Sequence, residues 1–344
     1  MQSNRWIVCL SCSILVLALR TSSALVLAAD AIPAYRFVTV DIPTPKGQLG
    51  FTTLADINET GEISGGFTDT NLGAFGFILD KKMRQIQVRC SKDVIATVPQ
   101  AINKHGEIAG SATVVIERIP SMIPPFEILI TKTSGFYRDK RGRCTLLDFP
   151  SAKLTEAVGI NDDGQVVGDY QDAAGNFHGF FWDAGLFLTI DVTFPGATVT
   201  GPTAINNVGQ IVGYYFDNNV SETFPNGHTH GFVYRNNTFS AFDFPDGLAT
   251  LPADINDSGH IVGIYSDADF ISRSFLLQNE RFTDLDVGFA DTFTTEVSGI
   301  NNKGQIVGRY TQNNPADPVN PFPSHGFVGL PKNHLKPSAS NLVN

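Results

Sequence analysis

From Phe37 to Leu330 the chain alternates short apolar runs with polar breaks rich in Gly, Asn and Asp, and no stretch keeps a helical period. Short apolar runs at regular spacing, each closed by turn residues, predict β-strands. The pattern also repeats. Ile57-Asn58-Glu59-Thr60-Gly61-Glu62-Ile63-Ser64-Gly65 recurs from Ile102 to Gly110, Ile160 to Gly168, Ile205 to Gly213, Ile255 to Gly263 and Ile300 to Gly308. The Asn positions 58, 103, 161, 206, 256 and 301 are separated by 45, 58, 45, 50 and 45 residues. Each copy is followed by a run ending in Phe (Phe77, Phe136, Phe180, Phe232, Phe275, Phe327), and then by a run ending in Asp, often with Pro close behind, as in Leu146-Leu147-Asp148-Phe149-Pro150.

Each unit therefore holds four strand-like runs. The first ends at Ile-Asn, the second begins after the motif's first Gly, the third carries the Phe, and the fourth leads to the Asp. Asn and Gly tolerate the positive φ of a tight hairpin between the first two, and Pro ends the fourth because it cannot continue a ladder. Four strands in about 45 residues is the size of a propeller blade. Phe37-Val38-Thr39-Val40-Asp41-Ile42-Pro43 is a fourth run with no unit before it, and the last unit, ending at Leu330, lacks one. The spare run fits the gap. The expectation is an all-β, six-bladed β-propeller, four antiparallel strands per blade, closed by the N-terminal strand and occupying residues 32–331.

Composition narrows the partners. A formal net charge of −10 with no extended Lys/Arg cluster argues against a nucleic-acid ligand. Arg5, the apolar run Trp6 to Leu19 and Ala29-Asp30-Ala31 read as a signal peptide over residues 1–31 with export to an extracellular or periplasmic compartment. The later chain has no run long and apolar enough to span a membrane as a helix. Residues 332–344 read as a disordered tail, and the mature protein as a monomer. Cys90 and Cys144 are the cysteines left after the first 31 residues. They lie near the last strands of different repeats, which a propeller separates, so their pairing stays open.

The Ile-Asn-x-x-Gly-x-Ile-Val-Gly repeat with a following His-Gly-Phe resembles the bacterial extracellular repeat proteins named for a His-Ala-Phe motif, the HAF-repeat family. The resemblance runs from Phe37 to Leu330. Gly stands in place of the Ala, and a His lies two residues before Phe180, Phe232 and Phe327 alone. It implies an extracellular β-repeat protein and brings no catalytic residues with it.

The repeated residues read as scaffold. The Asn and Gly of the hairpins are turn-formers; Asn161-Asp162-Asp163-Gly164 lacks the remaining ligands of a calcium loop. His178, His230 and His325 are expected to make hydrogen bonds within their own units. Phe67, Tyr170, Tyr215, Tyr265 and Tyr310 are expected to pack between units. Function is sought where the symmetry breaks. Asp56 and Asp254 precede Ile-Asn in the first and fifth units, where the other units carry Ala or Gly; on innermost strands they would face one another across a channel, with a divalent cation or acid/base work as their chemistry. His228 and His230 alternate on one strand near Asp217 and Glu222, a weak metal pair. Asp169, Asp217, Asn218, Asn219, Asp267, Asp269 and Arg309 are expected on the face of long loops. An insertion from Val114 to Thr131 is expected to form a lip or a partner contact. No nucleophile elbow, phosphate loop, zinc signature or dinucleotide fingerprint is present. The reading is a secreted binding module for a saccharide or surface protein, with no required cofactor. The alternatives are a channel-centred hydrolase or lyase using Asp56 and Asp254, and a structural surface protein.

Overall fold

The computed structural model describes residues 34–42, 51–68, 74–120, 127–221, 223, 227–314 and 322–332. The expected signal segment, Glu222 and all but the first residue of the expected C-terminal tail lie outside them. Among the described residues there is no α-helix, and 24 strands follow one another along the chain.

Each repeat folds as an antiparallel four-stranded meander. In the third unit, Leu154–Ile160 pairs with Val166–Gln171, then Phe177–Asp183, then Leu186–Ile190. The turn chemistry is local. Asn161 Oδ1 accepts the backbone N–H groups of Asp163 (3.1 Å) and Gln165 (3.0 Å), and Gly164 sits at φ +78°. The motif's last Gly has a different cause: a Cβ on Gly168 would lie 1.9 Å from the Glu156 carbonyl oxygen and 2.9 Å from the ring of Phe180. The repeated Phe therefore lies over the repeated Gly. All six of these Phe side chains, Phe77 to Phe327, are fully buried.

The products are the four-stranded blades of a β-propeller, with one departure from the expected separation. Hydrogen-bond ladders give four sheets of four strands and one of eight, rather than six separate sheets. The eight-stranded sheet joins two repeat units through a single parallel bridge, Thr229 to Ala249. The bridge forms where the fourth unit's third strand runs alongside the fifth unit's first strand.

Strand Tyr35–Val40 pairs with Ser324–Pro331 over six residues, from Tyr35 opposite Pro331 to Val40 opposite Gly326. The spare N-terminal run thus completes the last unit. Cores lie between neighbouring units: Leu54, Ile57, Phe67 and Phe77 of the first unit pack with Val307 of the last, and Val167 and Ile190 of the third with Ile205, Tyr215 and Phe232 of the fourth. The repeated aromatics take part. Phe149 stacks on Tyr170 and Phe244 on Tyr265, each at 3.6 Å between ring centres.

Cys90 and Cys144 form a disulfide, with their Cα atoms 5.3 Å apart. The separation expected of outer strands is bridged because the first unit's outer strand is only Gln85–Gln87. The chain then runs to Cys90, which packs with Val88, Val94 and Cys144 in one cluster. The expected insertion lengthens one hairpin, Ile108–Pro120 against Glu127–Arg138, whose outer part exposes Ile116, Ile119, Ile128, Leu129 and Ile130.

Candidate functional site

The first strand of every unit lines a central channel. Each of these strands carries a register shift at the residue two before the Ile of the Ile-Asn pair. The skipped residues, Ala55, Gln100, Val158, Thr203, Ala253 and Ser298, face the channel. A bulge of this kind re-aims a side chain. The channel has three zones.

At the hairpin face lies a ring of asparagines. Each side-chain amide donates to the backbone carbonyl of the next unit's Asn: Asn58 to Asn103 (2.9 Å), Asn103 to Asn161 (3.0 Å), Asn161 to Asn206 (3.5 Å), Asn206 to Asn256 (3.0 Å), Asn256 to Asn301 (3.2 Å), and Asn301 back to Asn58 (3.1 Å). A second, open series of five bonds runs outside it. The backbone N–H groups of Lys104, Asp162, Asn207, Asp257 and Asn302 donate to the side chains of Asp162, Asn207, Asp257, Asn302 and Glu59 respectively. These polar groups are occupied with one another, and the cavity they surround is small, about 60 Å³.

The waist holds Asp56 and Asp254, which line the same small cavities. The structure brings them into electrostatic contact. Each carboxylate bridges two units: Asp56 accepts from the N–H groups of Ile57 (2.6 Å) and Ile102 (2.8 Å), and Asp254 from Ile255 (2.7 Å) and Ile300 (2.7 Å). Burial pushes the Asp56 carboxyl up to about 6, with the Glu59 charge adding to the rise and the two N–H donors opposing it. Burial, then the charge of Asp56, holds Asp254 well above the usual carboxylate range. Both are half-buried by surface area, and burial is the leading cause of the rise in each. Their oxygens are committed to backbone amides, which makes them inter-unit clamps first.

The far end of the channel opens into a cavity of about 390 Å³. That size suits a small organic ligand. It is lined by Leu251, Pro252 and Ile264 of the fifth unit, Tyr214 of the fourth, Glu296 and Arg309 of the last, and Gln100, Thr203 and Ser298 of the bulges. The equivalent register pair in each unit is Thr53–Gly66, Val98–Ser111, Glu156–Asp169, Gly201–Tyr214, Leu251–Ile264 and Glu296–Arg309, and of these Thr53, Tyr214, Leu251, Ile264, Glu296 and Arg309 line the cavity. Six equivalent pairs carry six different chemistries. Gly201 explains the pose of Tyr214, because a Cβ there would lie 2.5 Å from the tyrosine ring. Arg309 pairs with Glu296 at 2.6 and 2.7 Å. Burial and the neighbouring charge of Glu156 push Asp169 up to about 7, and burial raises Glu156 as well. Both lie near Tyr214, whose phenol is raised by burial and then by their charges.

The loop-face candidates are placed elsewhere. Asp217 accepts from the N–H groups of Asn219 (3.1 Å) and His228 (2.7 Å), and Asp267 from those of Asp269 (2.9 Å) and Ile271 (3.0 Å). Both cap loops. Their remaining oxygens meet His230 (3.4 Å) and Arg273 (2.6 Å). His178 bonds Asp191 (2.8 Å), His230 bonds Asp243 (3.0 Å) and His325 bonds Asp41 (2.9 Å), each across neighbouring strands of its own sheet. His228 and His230 lie with ring centres 6.5 Å apart. Among the described residues no group of three or more His, Cys, Asp or Glu is placed to hold a metal ion.

Asp169 and Arg309, expected on the face of long loops, instead lie within strands Val166–Gln171 and Ile306–Gln312, and Arg309 lines the cavity; sequence reasoning missed Tyr214, Ile264 and the inner-strand residues Leu251 and Glu296. Their signal is the position after the motif's last Gly, which reads Gly66, Ser111, Asp169, Tyr214, Ile264 and Arg309 inside an otherwise uniform motif.

No protein-family description matches the chain. No curated protein matches it either. Solved structures do. A TolB-like protein of Agrobacterium tumefaciens is 13% identical, with 74% of this chain and 89% of that chain covered and a TM-score of 0.49. An inactive virginiamycin B lyase of Staphylococcus aureus is 10% identical, covering 86% of this chain and 100% of that chain at a TM-score of 0.45. The lectin of Aleuria aurantia is 10% identical over 74% of this chain and 79% of that chain, at a TM-score of 0.40. Likeness at this level passes no ligand or chemistry to the chain.

Proposed function

We propose that this protein is an exported binding module of the HAF-repeat kind, a six-bladed propeller that takes a small molecule in the wide mouth of its central channel. The eight-stranded sheet counts as two blades in this reading, since one bridged residue pair joins them. The repeat motif supports the family, and the Cys90–Cys144 disulfide suits an oxidising compartment.

One observation carries the function: the residues that line the wide mouth from the register pairs of the fourth, fifth and last units, Tyr214, Leu251, Ile264, Glu296 and Arg309, differ from one another while the asparagine ring at the hairpin face is uniform. A scaffold with no ligand has no physical need for such divergence around a cavity. The loop-face Asp residues serve as turn caps, which moves the binding surface from the loop rims into the mouth. The test is thermal unfolding of the protein and of Tyr214→Ala against a library of small organic molecules. Compounds that raise the midpoint of the parent protein and not of the variant support the reading, because a native-state ligand stabilises by mass action. A library that shifts both proteins equally, or neither, contradicts it.

The hydrolase or lyase alternative loses its residues rather than its plausibility as chemistry. Asp56 and Asp254 each spend both oxygens on backbone N–H groups. Replacing both with Asn leaves wide-mouth binding intact in the binding-module reading and abolishes function in the alternative.

A further inference from the structure

We infer that the wide mouth selects an uncharged organic molecule with an apolar body and a head that pairs a hydrogen-bond donor with an acceptor, such as a carboxamide, set on the Glu296–Arg309 ion pair. The inference rests on the wide mouth being the ligand site, and it adds the chemical class.

Among the described residues two charged side chains line the cavity, Glu296 and Arg309, and their signs are opposite. They face one another in the ladder of the last unit. Arg309 Nε donates to Glu296 Oε2 at 2.7 Å, and Nη2 meets the same oxygen at 2.6 Å. The cavity wall therefore carries no net charge. A ligand with a net charge would give up hydration on entry and find no free countercharge in return. The wall could match such a ligand only by breaking its own pair.

The pair is not saturated. Both nitrogens fall on one oxygen, so among the described residues Glu296 Oε1 accepts no hydrogen bond and Arg309 Nη1 donates none. One ion pair thus offers both an acceptor and a donor. A carboxamide presents the complementary N–H and C=O on a single planar group. A carboxylate head would suit Arg309 and be repelled by Glu296, and an ammonium head would do the reverse.

The rest of the wall decides the body. Leu251, Pro252 and Ile264 are apolar, and the Tyr214 ring lies over Gly201. Thr203 and Ser298 spend their hydroxyl protons on the backbone carbonyls of Val212 (3.3 Å) and Leu54 (2.6 Å). A saccharide would bury more hydroxyl groups than this wall can pair, and each one left unpaired is costly. An apolar body gains from the same contacts.

The probes are indole-3-acetamide, tryptamine, indole-3-acetate and methyl α-glucoside, which cover a neutral, a cationic and an anionic head on one ring system and a neutral polyol. Affinities are measured by calorimetry at about pH 7.5 for the parent protein, Tyr214→Ala, Glu296→Gln and Arg309→Met. The parent protein is expected to bind the amide about tenfold more tightly than either charged indole, about 1.4 kcal/mol, and the glucoside weakest. Arg309→Met leaves Glu296 unmatched and should move the preference to tryptamine. Glu296→Gln leaves Arg309 unmatched and should move it to indole-3-acetate. Both side chains are partly exposed, at 24% and 44%, so either substitution is expected to leave the fold intact. A charged indole or the glucoside binding the parent protein as tightly as the amide, or a ranking that neither substitution alters, overturns the chemical class; loss of that binding in Tyr214→Ala would still keep the mouth as the site. No binding by any probe also overturns the class. Binding indifferent to Tyr214→Ala overturns the class and the site together.

Discussion

The side-chain amide of Asn301 donates to the backbone carbonyl of Asn58 at 3.1 Å, across 243 residues of sequence. That bond ties the last repeat to the first. The Asn301 carboxamide oxygen also accepts the N–H groups of Lys303 and Gln305, at 3.1 and 3.0 Å, so one side chain shapes its own hairpin and closes the ring.

Closure gives the first prediction. Asn301→Ala removes the inter-unit bond and leaves the backbone N–H groups of the turn without their acceptor. A buried polar group left unpaired costs about 1–3 kcal/mol, so a loss of about 2–4 kcal/mol is expected in urea unfolding. Asn301→Asp keeps the acceptor and loses the donor, and should cost less than Ala in the turn while still weakening the seam. Equal stability of all three proteins would show that the ring is incidental.

The second prediction concerns pH. Burial pushes Asp56 and Asp169 up to about 6 and about 7 when folded, above their value of 3.8 in the unfolded chain, and Asp254 is likewise held well above it. A raised carboxyl contributes stability that is fully present below the unfolded value and is lost as pH climbs through the folded one. His178 moves the same way: burial alone would lower it, but Asp191 and then Asp172 raise it, so its contribution is also lost on raising pH. Asp80 and Asp172, held down to about 2 by hydrogen bonds from Arg84 and Asn176, act in the opposite sense and lose stability in acid. The unfolding midpoint should peak at about pH 4 and fall toward pH 8. A midpoint that rises from pH 5 to 8 would contradict the burial of the channel carboxylates.

The third prediction uses the disulfide. Cys90–Cys144 closes a loop with a sequence separation of 54, joining the edges of neighbouring units. The loop-closure relation gives about 4 kcal/mol for a loop of this size, an upper figure because measured values run about 2–4. Reduction, or Cys90→Ala with Cys144→Ala, should lower stability by about that much and increase hydrogen exchange first in the short strand Gln85–Gln87. Unchanged exchange there would mean that the outer edge of the first unit is held by other contacts.

The fold was largely legible because repetition exposes geometry. Six copies of Ile-Asn-x-x-Gly define the hairpins, and the unmatched run at Phe37 points to its pairing with the strand at Phe327, which the register Thr39 to Phe327 displays. What the repeat could not convey was distance between outer edges. Cys90 and Cys144 meet because one outer strand is only three residues long. The bridge from Thr229 to Ala249 was hidden for a similar reason, since it depends on how closely two units approach.

The site was half legible. Symmetry drew attention to Asp56 and Asp254, and the channel does hold them together, but backbone N–H groups that sequence does not display claim their oxygens. Asp217 and Asp267 looked free on loops and proved to be caps. Tyr214 was hidden by its neighbour Tyr215, one packing toward Phe194 and the other lining the mouth. Alternation along a strand separates the two roles by a single residue.

The most direct test of the account is a crystallographic fragment screen on the intact protein. Small organic fragments are expected to collect in the wide mouth, against Tyr214, Leu251, Ile264 and Arg309, and to leave the asparagine ring empty. Fragments that settle instead at the hairpin face or around His228 and His230, with the wide mouth unoccupied, would contradict it.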